Sequence, residues 1–232
     1  MNKVNVGIIG YGLSGRIFHS AIINSLEEFE ICKIVTRNSQ KRKMALEDNK
    51  NIEVVENVSE IFEDDSIDLV VISTPNTSHV ELAMQAMNSG KHVVIEKPFT
   101  VTSKEALKLI NLSKETGKML SVYQNRRFDG DFKTLKKVIA AGSLGRLVEF
   151  ESHFDRFRNK LKENAWREDA LPGSGILYDL GAHLIDQALD LFGLPDEIYG
   201  DIRSQRKGKV DDNFELILYY TDLKVTLKSG SL

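Results

Sequence analysis

The chain has 232 residues, 41% hydrophobic and 28% charged, a balance that suits one large soluble domain or two small ones. A net charge of −3 gives no general attraction to nucleic acid or to an acidic membrane surface, and no apolar run approaches the roughly 20 residues needed to cross a bilayer. Cys32 is the only cysteine, which excludes an intrachain disulfide and a cysteine-based metal cluster. The start, Met1-Asn2-Lys3-Val4, is too polar for a secretory signal, so a cytoplasmic protein is expected.

The first half alternates strand and helix patterns. "VNVGIIG" (4–10) reads as a buried strand ending in glycine, and "LSGRIFHSAIINSL" (13–26) as a helix. "EICKIVT" (30–36), "IEVVEN" (52–57), "IDLVVIST" (67–74), "KHVVIEKP" (91–98) and "KMLSVYQ" (118–124) read as further strands. Helices are predicted over 39–49, 78–90 and 103–117, the second closed by Gly90. This order implies parallel pairing through right-handed crossovers, and the Val/Ile-rich strands imply a sheet covered on both faces. The second half changes character. A helix ending in a turn is predicted at 135–145, and the stretches 146–157, 197–205, 213–220 and 223–230 alternate apolar and polar residues as half-buried antiparallel strands do. The expected fold is an α/β, doubly wound parallel (Rossmann) sheet over 1–122, followed over 123–232 by an α+β domain with an open, mostly antiparallel sheet.

Gly10-Tyr11-Gly12-Leu13-Ser14-Gly15 is a G-x-G-x-x-G set between a predicted strand and a predicted helix, the context that makes it a dinucleotide site. Gly10 permits the tight turn, Gly12 the approach of the pyrophosphate, and Gly15 close packing of helix on strand. Leu13 and Ser14 share the loop, whose helix offers free N–H groups to phosphate. The second strand ends Thr36-Arg37-Asn38, where NAD sites usually carry an acid on the ribose. Without that acid, and with Arg37 able to pair with a 2′-phosphate, NADP is expected over NAD; a solvated helix start is the other reading of this basic run. Thr74, Pro75 and Asn76 leave a strand at the carboxyl edge, where ligands sit, and His79 is either a helix-face residue or a cofactor contact. Glu96-Lys97-Pro98 ends the next strand on the same edge, with Lys97 either solvated or aimed at a substrate hydroxyl.

"LYDLGAHLIDQALDLFG" (177–193) reads as a helix whose buried face is Leu177, Leu180, Leu184, Ala188 and Leu191. Asp179, His183, Asp186 and Asp190 follow a neighbouring stripe, so Asp179 and His183 meet one turn apart. They are either a polar edge or a general base with its orienting partner. A histidine with an ordinary pKa of about 6.5 accepts a proton near neutrality. Gly181 costs about 1 kcal/mol inside a helix, which points to close approach by a substrate or nicotinamide ring. The remaining histidines lack ligand spacing, so no metal is expected.

Taken together, "GIIGYGLSG", "STPNTSHVELA", "GKHVVIEKPF" and "GILYDLGAHLIDQALDLFG" resemble the glucose–fructose oxidoreductase/inositol dehydrogenase (Gfo/Idh/MocA) family across essentially the whole chain. "SVYQNRRFDGDF" with "ILYDLGAHLIDQ" is most similar to its branch of NADP-dependent scyllo-inositol dehydrogenases. The resemblance implies hydride transfer between NADP and a polyol or sugar, in a cleft between the two domains. It assigns Lys97, Asp179 and His183 as the catalytic group, and Glu96 with Lys97 to the cofactor edge. Asn125, Arg126, Trp166, Arg167 and Tyr178 would line the substrate pocket, and subunits would pair through the open sheet as a homo-oligomer. Such proteins run past three hundred residues, so the chain is expected to lack its carboxyl-terminal part, leaving the second sheet unfinished. A cofactor-binding sensor without chemistry, and an inactive fragment, are the alternative functions.

Overall fold

The computed structural model describes residues 3–161 and 168–232, and the chain divides into two compact units, residues 1–123 and 124–232. The first holds six parallel strands: β1 (Val4–Ile9), β2 (Phe29–Val35), β3 (Glu53–Val55), β4 (Leu69–Ile72), β5 (His92–Ile95) and β6 (Leu120–Val122). Their order is β3-β2-β1-β4-β5-β6. The direction of winding reverses between β1 and β4, so a crevice opens at the carboxyl ends of those two strands.

The alternation of side chains across this sheet builds two cores. Val6 and Ile8 of β1 pack with Ile31, Ile34, Val54 and Val71 on one face, beneath α1 (Ala21–Ile23) and α2 (Ser39–Asp48). Ile9, Val70, Ile72, Val93 and Ile95 pack on the other, beneath α3 (Ser59–Phe62), α4 (His79–Asn88) and α5 (Ser103–Thr116). Gly7 sits where Ile61 of α3 presses on the strand: a Cβ there would lie 2.9 Å from two of its side-chain carbons. The short helix α3 was not expected from the sequence, because four residues are too few to show a helical period. The expected helix over 13–26 is instead a π-helical stretch, Ser14–Ser20, running into α1. Helix α5 begins with a reciprocal cap, Thr102 accepting from Glu105 N–H and Glu105 accepting from Thr102 N–H, and ends at Gly117 with φ +67°.

The second unit opens with a 3-10 turn, Asn125–Phe128, and α6 (Gly130–Ala140). This helix starts five residues before the expected 135, since Asp129-Gly130-Asp131 reads as a turn in sequence yet supplies the first helical turn here. Next come β7 (Glu149–His153), a π-helical turn Leu177–Gly181 continuing as α7 (Ala182–Phe192), and the meander β8 (Glu197–Arg203), β9 (Asn213–Tyr219), β10 (Lys224–Gly230). The sheet order is β7-β10-β9-β8. Two of its three pairings are antiparallel, but β7, expected to be antiparallel, runs parallel to β10. A sequence alternation reports half-burial and not strand direction, which is why the two could not be told apart. Leu184 and Ala188 of α7 close this core against Phe214, Leu216, Leu218, Val225 and Leu227.

Candidate functional site

In the first unit the glycine loop leaves β1 at the winding reversal. Gly10 has φ +95° and donates from its N–H to Val35 O at 3.1 Å, while Ser73 Oγ donates to Gly10 O at 2.8 Å. A Cβ on Gly10 would lie 2.7 Å from Ser73 O, and one on Gly15 would lie 2.3 Å from Gly10 O. Both glycines are therefore demanded by the chain's own backbone. Gly12 is different: among the described residues nothing lies within 4 Å of the place its Cβ would take, and its φ is not in the left-handed region. The space over its backbone is therefore open, as the approach of a pyrophosphate would require. Leu13 beside it is exposed.

At the end of β2, Thr36 is buried, and its hydroxyl accepts from Asn38 N–H at 3.4 Å. Asn38 caps α2 by accepting from Lys41 N–H at 3.0 Å. Arg37 is exposed and donates from Nε to Glu56 O at 3.3 Å. Beyond β4, Thr74 Oγ1 and Ser78 Oγ lie 2.7 Å apart, Ser78 also donates to Pro75 O at 2.8 Å, and Asn76 is buried. His79 is 1% exposed, with Nδ1 3.1 Å from Pro98 O and Nε2 3.0 Å from Thr74 O. His79, read from sequence as either a helix-face residue or a cofactor contact, lies between two loops with each ring nitrogen against a backbone carbonyl.

Glu96 is also committed within the chain. It is buried, and Oε1 accepts from Ser14 Oγ and lies 3.0 Å from His19 Nε2, while Oε2 accepts from Lys97 N–H at 3.1 Å. Burial pushes this carboxyl upward, but the His19 and Ser14 bonds outweigh it and hold Glu96 below the usual range. His19 is buried too, and its ring centre stands 4.3 Å from that of Tyr123. Sequence reasoning passed over His19 as one of several scattered histidines. In sequence it is one of three polar residues of "RIFHSAII", with Arg16 and Ser20, and nothing local sets it apart.

In the second unit Asp179 and Tyr178 fall in the π-helical turn and His183, 6% exposed, in the first turn of α7. A wider π turn at this point agrees with the tendency of such bulges to occur at functional positions. The turn is started from outside: Asp211 Oδ2 accepts from Leu177 N–H at 2.8 Å, and its O accepts from Ile176 N–H at 3.0 Å. Gly175, at φ +93°, makes room for it, since a Cβ there would stand 1.9 Å from Asp211 Oδ1. Gly181, read from sequence as clearance for a substrate or nicotinamide ring, is approached closely by the chain itself: a Cβ would lie 2.9 Å from Leu177 Cδ1 and 3.2 Å from the Phe214 ring.

Asn125 and Arg126 stand on the 3-10 turn. Arg126 pairs with Asp129 at 3.0 Å and lays its guanidinium 4.7 Å from the centre of the Phe154 ring, while Arg156 lies 4.9 Å from the same ring. Arg156 and Asp179 line one cavity of about 80 Å³ together with Arg158 and Asp211. Burial lowers the Arg156 pKa, Arg158 and Arg126 reinforce the shift, and Asp179 opposes it. Sequence reasoning missed Arg156 because it reads as the polar phase of a strand pattern. Trp166 and Arg167 lie outside the described residues. No group of His, Cys, Asp and Glu that could hold a metal occurs among the described residues, and no helix there is long and apolar enough to cross a membrane.

A six-stranded parallel sheet in this order, with a glycine loop at its winding reversal, defines a nucleotide-binding Rossmann unit. Residues 4–124 match the model of an oxidoreductase family with an NAD-binding Rossmann fold, and residues 132–232 match the GFO/IDH/MocA C-terminal domain. The chain belongs to the Gfo/Idh/MocA oxidoreductase family. It is 45% identical over 232 residues to the uncharacterized oxidoreductase YdgJ of Escherichia coli, covering 100% of this chain and 66% of that protein. It is 41% identical to the scyllo-inositol 2-dehydrogenase (NADP(+)) IolW of Bacillus subtilis, covering 100% of this chain and 64% of IolW. The solved structure of yvaA from Bacillus subtilis superposes with a TM-score of 0.93 at 41% identity, covering 99% of this chain and 65% of that one. An NAD-binding protein from Listeria innocua superposes with a TM-score of 0.91 at 30% identity, covering 99% and 67%. The chain thus spans slightly less than two thirds of the length of the curated relatives it matches first.

Proposed function

We propose that the chain carries the cofactor- and substrate-handling part of an NADP-dependent dehydrogenase acting on a secondary hydroxyl of an inositol-like polyol or sugar. The observation that carries the reading is the open space over Gly12, where a Cβ would meet no described atom, in a loop whose other two glycines are held by contacts of the chain itself. Similarity to IolW supports both the polyol and NADP. For the cofactor, β2 runs into Thr36-Arg37-Asn38 with no acid, and Arg37, Lys41, Arg42 and Lys43 lie exposed around the capped start of α2. That is a setting for a 2′-phosphate: helix N–H groups, a planar guanidinium and no carboxylate to repel it.

When bound, the nicotinamide supplies the hydride acceptor. The chain's own residues handle the proton and the charge. His183 takes the hydroxyl proton on its imidazole, and Asp179, one turn before it, fixes the ring and steadies the imidazolium. Lys97 donates from its ammonium to the same oxygen and stabilises developing alkoxide charge. Asn125, Arg126 and Tyr178, joined by Arg156 and by Trp166 and Arg167, supply the polar contacts that a hydroxyl-rich substrate needs. Leu13, Ser14, Thr74, Pro75, Asn76 and Glu96 belong to the cofactor edge, in direct contact or by shaping the loops. We place the protein in the cytoplasm, as a homo-oligomer formed through the second sheet.

The test is an oxidation screen with NADP and NAD against inositol stereoisomers and common sugars, read by absorbance of the reduced nicotinamide. NADP-linked oxidation of an inositol, reduced about 10²–10⁴-fold in His183→Ala with cofactor affinity retained, is the expected result. Arg37→Asp should move the preference toward NAD. Failure to bind either dinucleotide overturns the reading.

A further inference from the structure

Two buried histidines in the first unit serve no step of the proposed chemistry, yet both end on the segment that carries Lys97. His19 comes from the π-helical stretch after the glycine loop and meets Glu96 Oε1 at 3.0 Å. The same carboxylate takes Ser14 Oγ on Oε1 and Lys97 N–H on Oε2. One side chain therefore joins the phosphate loop to the Lys97 backbone. From the other side, His79 at the start of α4 holds Pro98 O at 3.1 Å and Thr74 O at 3.0 Å, joining the loop after β4 to the residue following Lys97. Residues 96 and 98 are thus each fixed to a neighbouring loop by an imidazole. His19 is 4% exposed, His79 1% and Glu96 9%, so water does not compete for these contacts.

We propose that His19 and His79 are positioning residues, a two-sided brace on Glu96-Lys97-Pro98 that holds Lys97 in register with the glycine loop. The inference rests on the role given to Lys97 above. Neither imidazole need touch substrate or cofactor. Each acts by restricting the backbone from which the Lys97 side chain springs, where a displacement of about 1 Å can lower turnover roughly 10²-fold.

The geometry distinguishes the two histidines by chemistry. His19 uses only Nε2, a position that a glutamine amide reproduces, so His19→Gln should retain the contact and His19→Leu should lose it. His79 uses both nitrogens, so His79→Gln keeps at most one contact and should fall between wild type and His79→Leu. The first readout is hydrogen exchange of the Lys97 amide in the cofactor-free protein, taken relative to the β5 amides so that a global loss of stability cancels. The expected result is exchange about 10-fold faster in the leucine variants, with His19→Gln near wild type. The second is steady-state kinetics, in which kcat falls about 10-fold or more while substrate KM stays within about threefold, and His19→Gln recovers most of the loss.

Where His19→Leu does not fold, Glu96→Gln takes its place under the same two criteria, since it weakens the carboxylate that all three donors share. Unchanged relative exchange at Lys97, or equal losses in the glutamine and leucine variants of His19, overturns the brace. Because exchange is measured without cofactor or substrate, an absence of polyol oxidation would count against the proposed function alone, and the brace would still stand or fall on the Lys97 amide.

Discussion

Arg127 grips Asp186 with two hydrogen bonds, Nε and Nη2 each 2.7 Å from a different carboxylate oxygen, and so ties the 3-10 turn before α6 to the middle of α7. Asp190, one turn on, takes Lys136 at 2.7 Å and Arg127 Nη1 at 3.4 Å. The acidic stripe of the 177–193 helix is therefore two things. Asp186 and Asp190 anchor it to the preceding elements, and Asp179 and His183 lie in the π turn and the first helical turn. Arg127 is 43% exposed and its pKa is raised chiefly by Asp186, so solvent screens the pair and each single removal should cost about 0.5–1 kcal/mol. A double-mutant cycle of Arg127→Ala with Asp186→Ala should show the double variant only slightly less stable than either single one. Full additivity in urea denaturation would deny the coupling.

The three glycines of the loop should separate by experiment. Gly15→Ala puts a methyl 2.3 Å from Gly10 O and 2.6 Å from Ser73 Oγ, so the backbone must move and the melting temperature should fall. Gly12→Ala meets no described atom within 4 Å, so stability should remain and dinucleotide affinity should drop, by about 10-fold or more if the methyl displaces one backbone–phosphate contact. Calorimetric titration of NADP alongside thermal melts reads both. A Gly12→Ala protein that binds NADP like wild type would remove the strongest support for the dinucleotide.

Much of the first unit was legible because its signals are local and redundant. Val/Ile runs, helix stops and a glycine loop all agree, and β1 through β6 fall where the runs lie. What stayed hidden was long-range. Glu96 finds Ser14 and His19 across 82 and 77 positions, and Asp211 starts the helix turn at Leu177 from 34 positions away. No period in the sequence records such partnerships, because they depend on which strand ends lie side by side. Gly181 shows the same limit: the helix-breaking residue was legible, but not that Leu177 and, from β9, Phe214 crowd it. His79 stood in a legible motif, but its ring contacts with Thr74 O and Pro98 O were not recorded there.

Asp64 gives a pH dependence whose sign follows from its partners. Lys33 lies 2.8 Å away, and Ser66 donates from both its hydroxyl and its N–H, lowering the Asp64 pKa from the ordinary 3.8 to about 2. The folded state then binds fewer protons than the unfolded chain between those values, so stability rises with pH across that interval. The contribution is complete above about pH 4 and lost as the pH falls through about 2. Asp64→Asn should therefore unfold at lower urea than wild type at pH 5, and the two midpoints should converge as the pH approaches the folded value. A gap of constant size from pH 5 to 2 would mean that the carboxylate's charge is not what stabilises the fold.

Gly181→Ala sets two effects of opposite sign against each other. Alanine gains about 1 kcal/mol of helix propensity over glycine. The new methyl, however, would lie 2.9 Å from Leu177 Cδ1 and 3.2–3.3 Å from two carbons of the Phe214 ring. The Leu177 side chain is half-buried and can turn aside, but Phe214 is 1% exposed and packs in the core beneath α7, so it cannot yield without disturbing its neighbours. Overpacking of this kind costs about 1–3 kcal/mol. The clash should therefore win, giving a net loss of up to about 2 kcal/mol on those two figures. A second variant decides the cause: shortening the ring's reach with Phe214→Leu beside Gly181→Ala should recover part of the loss relative to the sum of the single changes. Strictly additive losses in the pair, or a Gly181→Ala protein more stable than wild type, would return Gly181 to the role its place in a helix first suggests, clearance for a bound ring.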